Sequence, residues 1–333
     1  MSFIEVNNLT KYFKIFKRSP GLKGAVQSFF NRKYENCYAV KDCSVNIDKG
    51  EIIGVLGENG AGKTTLMKMM VGLLHPSSGE VKIDGYIPWE RKNQFLKEIS
   101  IVMGQKNQLW WDIPASESFL LNQSIYEIDE SVFKKRLDEL VDLLNVREKL
   151  NVQVRRLSLG ERMKMEIISA LLHNPRIVFL DEPTLGLDVI SQSRIRDFIK
   201  HYNEEYQTTF VITSHYIKDI QELCKRVYVI HKGSGLYDGN FHDLIKKINP
   251  KSKLIFEFTN KPNDQELMKI KDQYNVNIDN KQLTGELVDA DIKALLIDLL
   301  QLDSSKNFKI DELPVEEAMK SFFLNPEEFL NDE

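Results

Sequence analysis

One glycine-rich loop constrains this sequence more than any other feature. An apolar run at 52–56 precedes it and a helical pattern at 66–71 follows it, so the order is strand, loop, helix. In that order, backbone N–H groups of the loop and the positive end of the helix dipole converge on an anion. The loop therefore predicts a phosphate site, and its residues are Gly57, Glu58, Asn59, Gly60, Ala61, Gly62, Lys63, Thr64 and Thr65.

Two side chains extend this prediction from a phosphate to a nucleotide. Lys63 supplies a positive charge for the β- and γ-phosphates, and the hydroxyl of Thr64 is a ligand for Mg²⁺. The alternative is a glycine-rich helix cap with an incidental lysine, which the flanking strand and helix disfavour. We therefore predict a nucleotide cradle.

Size and composition indicate a soluble globular protein with one large and one smaller domain. The chain has 333 residues, of which 42% are hydrophobic and 28% are charged. No apolar run approaches the roughly 18 residues that cross a bilayer, and the start lacks the plan of an export signal. We expect a cytosolic protein. The net charge of −4 argues against nucleic acid as a partner.

A basic segment lies near the start of the chain. From Lys11 to Lys33 there are seven basic residues and no acidic one, and residues 22–30 have the pattern of a short amphipathic helix. We assign residues 11–37 to a basic insertion. It is either a contact with an anionic membrane surface or membrane protein, or a solvated insertion between two strands.

Three later strands end in polar side chains. The strand at 99–105 ends in Gln105, and the buried run at 177–180 leads into Asp181 and Glu182. Asp181 is placed to hold Mg²⁺, which leaves Glu182 to polarise an attacking water. A solvated turn is the alternative for these two acids. The strand at 209–214 ends at His215, which is within reach of a γ-phosphate.

A helical region interrupts this α/β pattern. Residues 114–150 lack strand alternation, and residues 131–144 have helical spacing. A further helix begins after Ser158, whose hydroxyl is a suitable N-cap, and runs to Leu172. We predict a helical subdomain at about 106–165, within a first domain of residues 1–245.

Together these residues resemble the ATP-binding cassette (ABC) family from residue 3 to about residue 240. The resemblance implies an α/β fold: a P-loop NTPase core with an antiparallel β subdomain and a helical subdomain. It also implies ATP and Mg²⁺ as cofactors. The motifs that carry it are Gly57 to Thr65 as Walker A, Gln105 as the Q-loop glutamine, Asp181 and Glu182 as the Walker B acids, Leu185 to Asp188 as the D-loop, and His215 as the switch histidine.

The family implies a role for each matching residue. The catalytic residues are Glu182, His215 and Lys63, and the metal is held by Thr64, Gln105 and Asp181. Phe13 takes the place of the aromatic that stacks on adenine, with Tyr12 as the alternative. The other nucleotide-binding residues are Gly57, Glu58, Asn59, Gly60, Ala61, Gly62, Lys63, Thr64, Thr65 and Gln105, joined by Ser158 and Gly160 from a second subunit.

The resemblance also implies partners. Two ATPase subunits, identical or related, close head to tail around ATP and energise permease subunits on separate chains, at the inner face of the cell membrane. This chain departs from the usual L-S-G-G-Q signature, since it has Leu159 and Glu161 at the third and fifth positions. We expect Glu161 to bring negative charge near a negative ligand.

Further features resemble a bacterial subgroup of exporter ATPases. The basic insertion is similar to one in exporters of teichoic acid or O-antigen chains. Trp110 and Trp111 are either a socket for a permease helix or ordinary core residues. Two alternatives to an exporter subunit remain: a soluble ABC ATPase acting on ribosomes or DNA, and an ATP-binding regulator with little turnover.

The last part of the chain, residues 250–333, has its own pattern. Predicted strands at 254–259, 276–279, 282–288 and 306–311 and helices at 265–274 and 290–301 follow the order β-α-β-β-α-β, with a last helix at 315–323. We predict a small α+β domain, similar to the accessory domain behind many exporter ATPases.

Overall fold

The fold is given by a computed structural model that describes residues 2–16, 34–104, 107–214, 216–258, 263–279, 281–302, 307–312 and 315–330. The chain divides into two compact units, Met1–Asn240 and Phe241–Glu333. The predicted helix at 22–30, Gln105 and His215 lie outside the described residues. Among the described residues, no helix is both long enough and apolar enough to cross a bilayer.

The first unit alternates strands and helices. Its strands are β1 (Ile4–Phe16), β2 (Tyr34–Ile47), β3 (Ile52–Leu56), β4 (Ser78–Ile83), β5 (Ile99–Met103), β6 (Ile177–Asp181), β7 (Thr209–Ser214), β8 (Arg226–His231) and β9 (Ser234–Asn240). Its helices are α1 (Lys63–Met70), α2 (Asn93–Glu98), α3 (Ala115–Ile125), α4 (Glu130–Leu143), α5 (Leu159–Leu171), α6 (Val189–Tyr206) and α7 (Ile217–Leu223).

A six-stranded sheet carries the predicted phosphate loop. Its order is β5-β6-β7-β3-β8-β9. The first five strands in this order are parallel, and β9 is antiparallel to β8. All six residues of β7 are buried, as expected for a parallel strand covered on both faces. The carboxyl ends of β3, β5, β6 and β7 meet at one edge, which is where open α/β sheets bind ligands.

An antiparallel sheet of order β2-β1-β4 completes the core of this unit. Strands β1 and β2 pair as far as Phe16 and Tyr34, with the rings of Tyr12 and Tyr38 5.6 Å apart across the hairpin. The predicted insertion at 11–37 was therefore too wide, because residues 11–16 and 34–37 are paired strand. Cross-strand aromatic contacts extend the hairpin into the segment that its charge had marked as an insertion.

The second unit contains β10 (Lys251–Glu257), β11 (Asn277–Asp279), β12 (Gln282–Val288) and β13 (Phe308–Glu312). Its helices are α8 (Phe241–Ile248), α9 (Asp264–Tyr274), α10 (Asp289–Leu302), α11 (Val315–Leu324) and α12 (Pro326–Leu330). The predicted β-α-β-β-α-β order is confirmed. The antiparallel sheet has the order β11-β12-β10-β13, and its core holds Leu254, Phe256, Leu283, Leu295 and Leu299.

Candidate nucleotide-binding site

The glycine-rich loop connects β3 to α1 and approaches neighbouring backbone too closely for other residues. Gly62 has a φ of 111°, and a Cβ there would lie 2.3 Å from the carbonyl oxygen of Ala39. A Cβ at Gly57 would lie 2.3 Å from the carbonyl oxygen of Ile230. Both distances are shorter than any real Cβ contact, so the loop needs glycine at these positions for its path as well as for its flexibility.

Lys63, the first residue of α1, is buried with its ammonium group inside the loop. Its Nζ donates to the carbonyl oxygens of Gly57 at 2.7 Å and Glu58 at 3.0 Å. Burial lowers the pKa of Lys63, while the carboxylates of Glu182 and Asp181 act in the opposite direction. The loop therefore holds a cation that is partly desolvated and faces two acids.

Asp181 joins the loop to two strands of the sheet. Its carboxylate accepts a hydrogen bond from the Thr64 hydroxyl, with distances of 3.1 and 3.0 Å to the two oxygens. The Thr213 hydroxyl of β7 donates to Oδ1 at 2.6 Å. The N–H of Gly104 donates to the Asp181 carbonyl at 2.9 Å. The strand register explains the contacts of Asp181 with Thr213 and Gly104, because Met103, Asp181 and Thr213 are aligned across β5, β6 and β7.

Glu182 follows directly and turns the chain out of the sheet. Its φ is 54°, a left-handed value that is uncommon for a residue with a side chain. Its N–H lies 3.1 Å from both the carbonyl oxygen and the hydroxyl of Thr213. Backbone strain at such a point is typical of functional positions, where the surrounding contacts hold it in place.

These residues surround a cavity of about 360 Å³. Seven residues predicted to bind nucleotide or metal line it, together with the predicted catalytic residue Glu182: Asn59, Gly60, Gly62, Lys63, Thr64, Thr65 and Asp181. The lining also includes Ala39, Lys68 and Met103, which the sequence prediction missed. The sequence could have indicated Lys68 as a lining residue, because it lies four residues after Thr64 and therefore on the same face of α1.

Other predicted residues lie elsewhere. Gly57, Glu58 and Ala61 belong to the loop but are not among the lining residues, and Ala61 is buried in the core. Phe13 lies on β1 opposite Cys37, is 45% exposed and has the Lys11 ammonium 5.4 Å from its ring centre. The structure thus presents Phe13 on an open hairpin rather than in the cavity.

Ser158 and Gly160 lie at the start of α5, outside the cavity. Ser158 is the N-cap of a capping box: its hydroxyl accepts from the N–H of Glu161 at 3.2 Å, and Glu161 Oε2 accepts from the N–H of Ser158 at 2.9 Å. Lys149 lies 3.1 Å from the other Glu161 oxygen. The N–H of Ser158 and this ammonium lower the pKa of Glu161.

The contacts of Glu161 bear on the expectation that it brings negative charge near a negative ligand. Its carboxylate folds back onto its own helix and pairs with Lys149, so the charge is offset by that lysine and does not stand alone before the helix end. Leu159 packs against the D-loop, since a Cβ added to Gly186 would lie 3.1 Å from Leu159 Cδ2. The two departures from the family motif are thus accommodated within this chain.

A buried carboxylate outside the predicted site, Glu166, connects α5 to the segment after β5. Glu166 Oε1 accepts from the N–H groups of Gln108 at 3.0 Å and Leu109 at 3.3 Å. Within the described part of the chain, Oε2 is buried without a hydrogen-bond partner. Burial raises the pKa of Glu166. One turn earlier, the Arg162 guanidinium lies 5.0 Å from the Trp111 ring centre.

Comparison with known proteins identifies the family. The model of the ABC transporter family matches residues 40–185. ABC transporter ATP-binding protein NatA of Bacillus subtilis (strain 168) is 36% identical over 215 residues, which are 65% of this chain and 87% of NatA. Bacitracin transport ATP-binding protein BcrA of Bacillus licheniformis is 34% identical over 220 residues, which are 66% of this chain and 70% of BcrA.

Solved structures agree with this assignment. The cbiO1 protein from Clostridium perfringens, part of the transporter complex cbiONQ, has a TM-score of 0.60 at 25% identity and covers 74% of this chain and 94% of its own. The ATP-binding cassette MJ0796, in a dimeric post-hydrolysis state with ADP and Pi, has a TM-score of 0.59 at 25% identity and covers 71% and 98%. This chain is therefore a member of the ABC transporter family, an ATP-binding ATPase subunit.

Proposed function

We propose that this ATPase subunit drives an exporter and that its ATP binds with the phosphates in the cavity beside α1. The observation that carries the proposal is the convergence of Lys63, Thr64, Asp181 and Glu182 on that cavity. One cation, one hydroxyl and two carboxylates from separate elements meet where backbone N–H groups of the loop and of α1 favour an anion. This is the set of groups that phosphoryl transfer to water requires.

The residues present fit Mg²⁺. Thr64 and Asp181 offer hard oxygen ligands that already lie within 3.1 Å of one another. Mg²⁺ is usually held by one or two carboxylates together with substrate phosphates and water. Among the described residues no group of three or more His, Cys, Asp or Glu is arranged as a metal site, which suits such a sparsely ligated ion. When bound, the ion would neutralise phosphate charge, with Gln105 as a further ligand.

Hydrolysis then depends on positioning. Glu182 orients and polarises the attacking water, Lys63 holds the γ-phosphate, and His215 is proposed from its sequence motif to steady the same phosphate. Glu182 lines the same cavity as Lys63, so both groups face the place proposed for the γ-phosphate. Phe13 stacks on adenine from the exposed hairpin, where an aromatic ring is available to a ligand.

The binding site for the γ-phosphate is completed by a second subunit, which contributes Ser158, Gly160 and the N–H groups at the start of its α5. The capping box supports this role, because it holds the first turn of α5 in a defined orientation. The ion pair of Glu161 with Lys149 removes the electrostatic objection to an anion nearby. ATP would therefore close the dimer and hydrolysis would reopen it.

A permease is proposed to dock beside the segment after β5. Trp110 and Trp111 are 60% and 44% exposed, so they are surface residues rather than core. A groove of about 470 Å³ opens nearby and is lined by Leu73, Arg91, Lys97, Ile101, Gln108 and Ile125, among others. Exposed aromatic side chains beside a groove lined by both apolar and charged residues are suited to a partner helix at the inner face of the membrane.

Export is proposed from the relatives. BcrA is named for bacitracin transport, and the linearmycin resistance protein LnrL of Bacillus subtilis (strain 168) is 32% identical over 209 residues. A methionine import protein, MetN of the same strain, is 30% identical over 245 residues. The higher identity to antibiotic-related proteins favours export. The likeness to teichoic acid and O-antigen exporters concerns the basic insertion predicted at 11–37 and rests on sequence.

The catalytic part is tested by Glu182→Gln. The variant should bind ATP with Mg²⁺ and accumulate as a nucleotide-bound dimer on gel filtration, with ATP hydrolysis reduced at least about a hundredfold, the usual scale for loss of a catalytic base. Glu130→Gln, at an exposed position on α4, is the matched control and should behave as wild type. Wild-type turnover in Glu182→Gln would remove that residue from its proposed role.

A further inference from the structure

The sheet of the second unit has an open edge at β13. In the part of the chain that the structure describes, β13 pairs with β10 on one side and with no strand on the other. The N–H of Glu257 donates to the carbonyl of Asn307 at 2.9 Å, so alternate residues from Asn307 onward direct their backbone groups to β10. The N–H and C=O groups of Phe308, Ile310 and Glu312 therefore point outward.

The same edge exposes apolar side chains. Phe308 and Ile310 stand opposite Phe256 and Leu254 of β10, and directly opposed residues share one face of a sheet. Phe256 and Leu254 are fully buried, whereas Phe308 and Ile310 are each 45% exposed. An edge with free backbone groups and exposed apolar residues is the form that pairs with another strand, and natural proteins rarely leave it uncovered.

The charges of β13 identify the strand that fits. If two copies of β13 pair antiparallel about a two-fold axis at Ile310, Lys309 of each copy stands opposite Asp311 of the other. Axes at Lys309 or at Asp311 would place like charges opposite each other, which is unfavourable. Within one chain Lys309 Nζ lies 2.8 Å from Asp311 Oδ1, and the side chains are 71% and 37% exposed, so both are accessible to a second copy.

We propose that β13 is an interface between two copies of this chain, joined by antiparallel pairing centred on Ile310. The pairing continues each four-stranded sheet into an eight-stranded one and covers Phe308 and Ile310. None of the groups involved belongs to the nucleotide site, so this association needs no ATP. It is therefore distinct from the nucleotide-dependent dimer, and the two are separable by experiment.

A charge-swap series on the full-length protein tests the interface. Sedimentation is measured without nucleotide and with EDTA, where wild type is expected to be dimeric at micromolar concentration. Lys309→Asp and Asp311→Lys each replace two opposite-charge pairs by two like-charge pairs, so each should raise the dimer dissociation constant roughly tenfold or more. The double variant Lys309→Asp/Asp311→Lys should regain wild-type association.

The decisive sample is a mixture of the two single variants. An acidic strand from one then faces a basic strand from the other, so mixed dimers should form more tightly than either variant associates with itself. Lys269→Asp, at an exposed position on α9, controls for the change in net charge. A monomeric wild-type protein without nucleotide, or single variants that associate as wild type, would overturn the proposal. So would single variants that fail to combine while their circular dichroism shows them folded.

Discussion

Removing one partner of a buried ion pair in the first unit should greatly lower the free energy of unfolding. Arg196 of α6 and Asp219 of α7 are each 3% exposed, with Nη1 and Oδ1 2.7 Å apart. Arg196 also lies 2.7 Å from Glu222, and Asp219 accepts hydrogen bonds from the hydroxyls of Thr184 and Ser214. These contacts fasten the segment after β6 to the end of β7.

The expected magnitude follows from burial. Arg196→Met leaves the Asp219 carboxylate buried without its cation, and breaking such a pair costs about 3–5 kcal/mol. With a urea dependence of about 3 kcal/mol/M, at the upper end for small proteins, the unfolding midpoint should fall by about 1–1.7 M. Glu222 adds less, because its side chain is partly exposed and screened by solvent.

Tryptophan fluorescence isolates the relevant unit. All three tryptophans, Trp89, Trp110 and Trp111, lie in Met1–Asn240, so urea-induced changes in their emission report on that unit. Lys134→Met is the control, because its pair with Glu130 is exposed on α4 and its loss should leave the midpoint unchanged. A midpoint shift below about 0.3 M in Arg196→Met, under 1 kcal/mol at that slope, would refute the reasoning.

Three further predictions concern the site and its support. Burial raises the pKa of Glu166 above its ordinary value, so the folded chain binds this proton more tightly than the unfolded chain does. The contribution of the proton to stability is full at acid pH and is lost as the pH rises. Glu166→Gln should therefore cost less stability at pH 8 than at pH 5 in urea titrations, and an equal cost would contradict a raised pKa. Gly104→Ala would place a Cβ 2.7 Å from the Glu182 carbonyl oxygen, so we expect a loss of about 1–3 kcal/mol and slower ATP hydrolysis; wild-type rates would show that the strand end shifts freely. Lys63→Ala should abolish ATP binding in equilibrium dialysis, whereas Lys68→Ala should only weaken it, and unchanged affinity in Lys63→Ala would count against the loop as the phosphate site.

Local features were predictable from the sequence. The strand, glycine loop and helix order, the capping position of Ser158 and the β-α-β-β-α-β order of the second unit all depend on residues close together in the chain. Hydrogen bonds of a helix cap span three residues, and strand or helix periodicity repeats every two or 3.6 residues. Such patterns can be recognised without knowing what lies across the fold.

Some features depend on a partner that is distant in the chain. Glu161 is expected to bring negative charge near a negative ligand, and only the structure shows that Lys149, twelve residues earlier, lies 3.1 Å from its Oε1. The predicted bounds of the basic insertion, 11–37, were too wide because Phe16 pairs with Tyr34 and the hairpin extends to these residues. The charge around a side chain depends on its ion-pair partner, and the length of a strand depends on the strand it pairs with. Neither can be predicted from one segment when the partner lies in a different segment.

The amino-acid sequence by itself determined which groups are available: a phosphate loop with its lysine, two acids at a strand end, and a capped helix in the helical subdomain. Only the tertiary structure decided which of them meet. Strand order places Asp181 between Thr64 and Thr213, and helix packing brings Arg196 to Asp219. The tertiary structure also leaves Trp110 and the edge of β13 at the surface. The physical reason is that register, burial and ion pairing are relations between segments far apart in the chain, and their free energies exist only once the chain has folded.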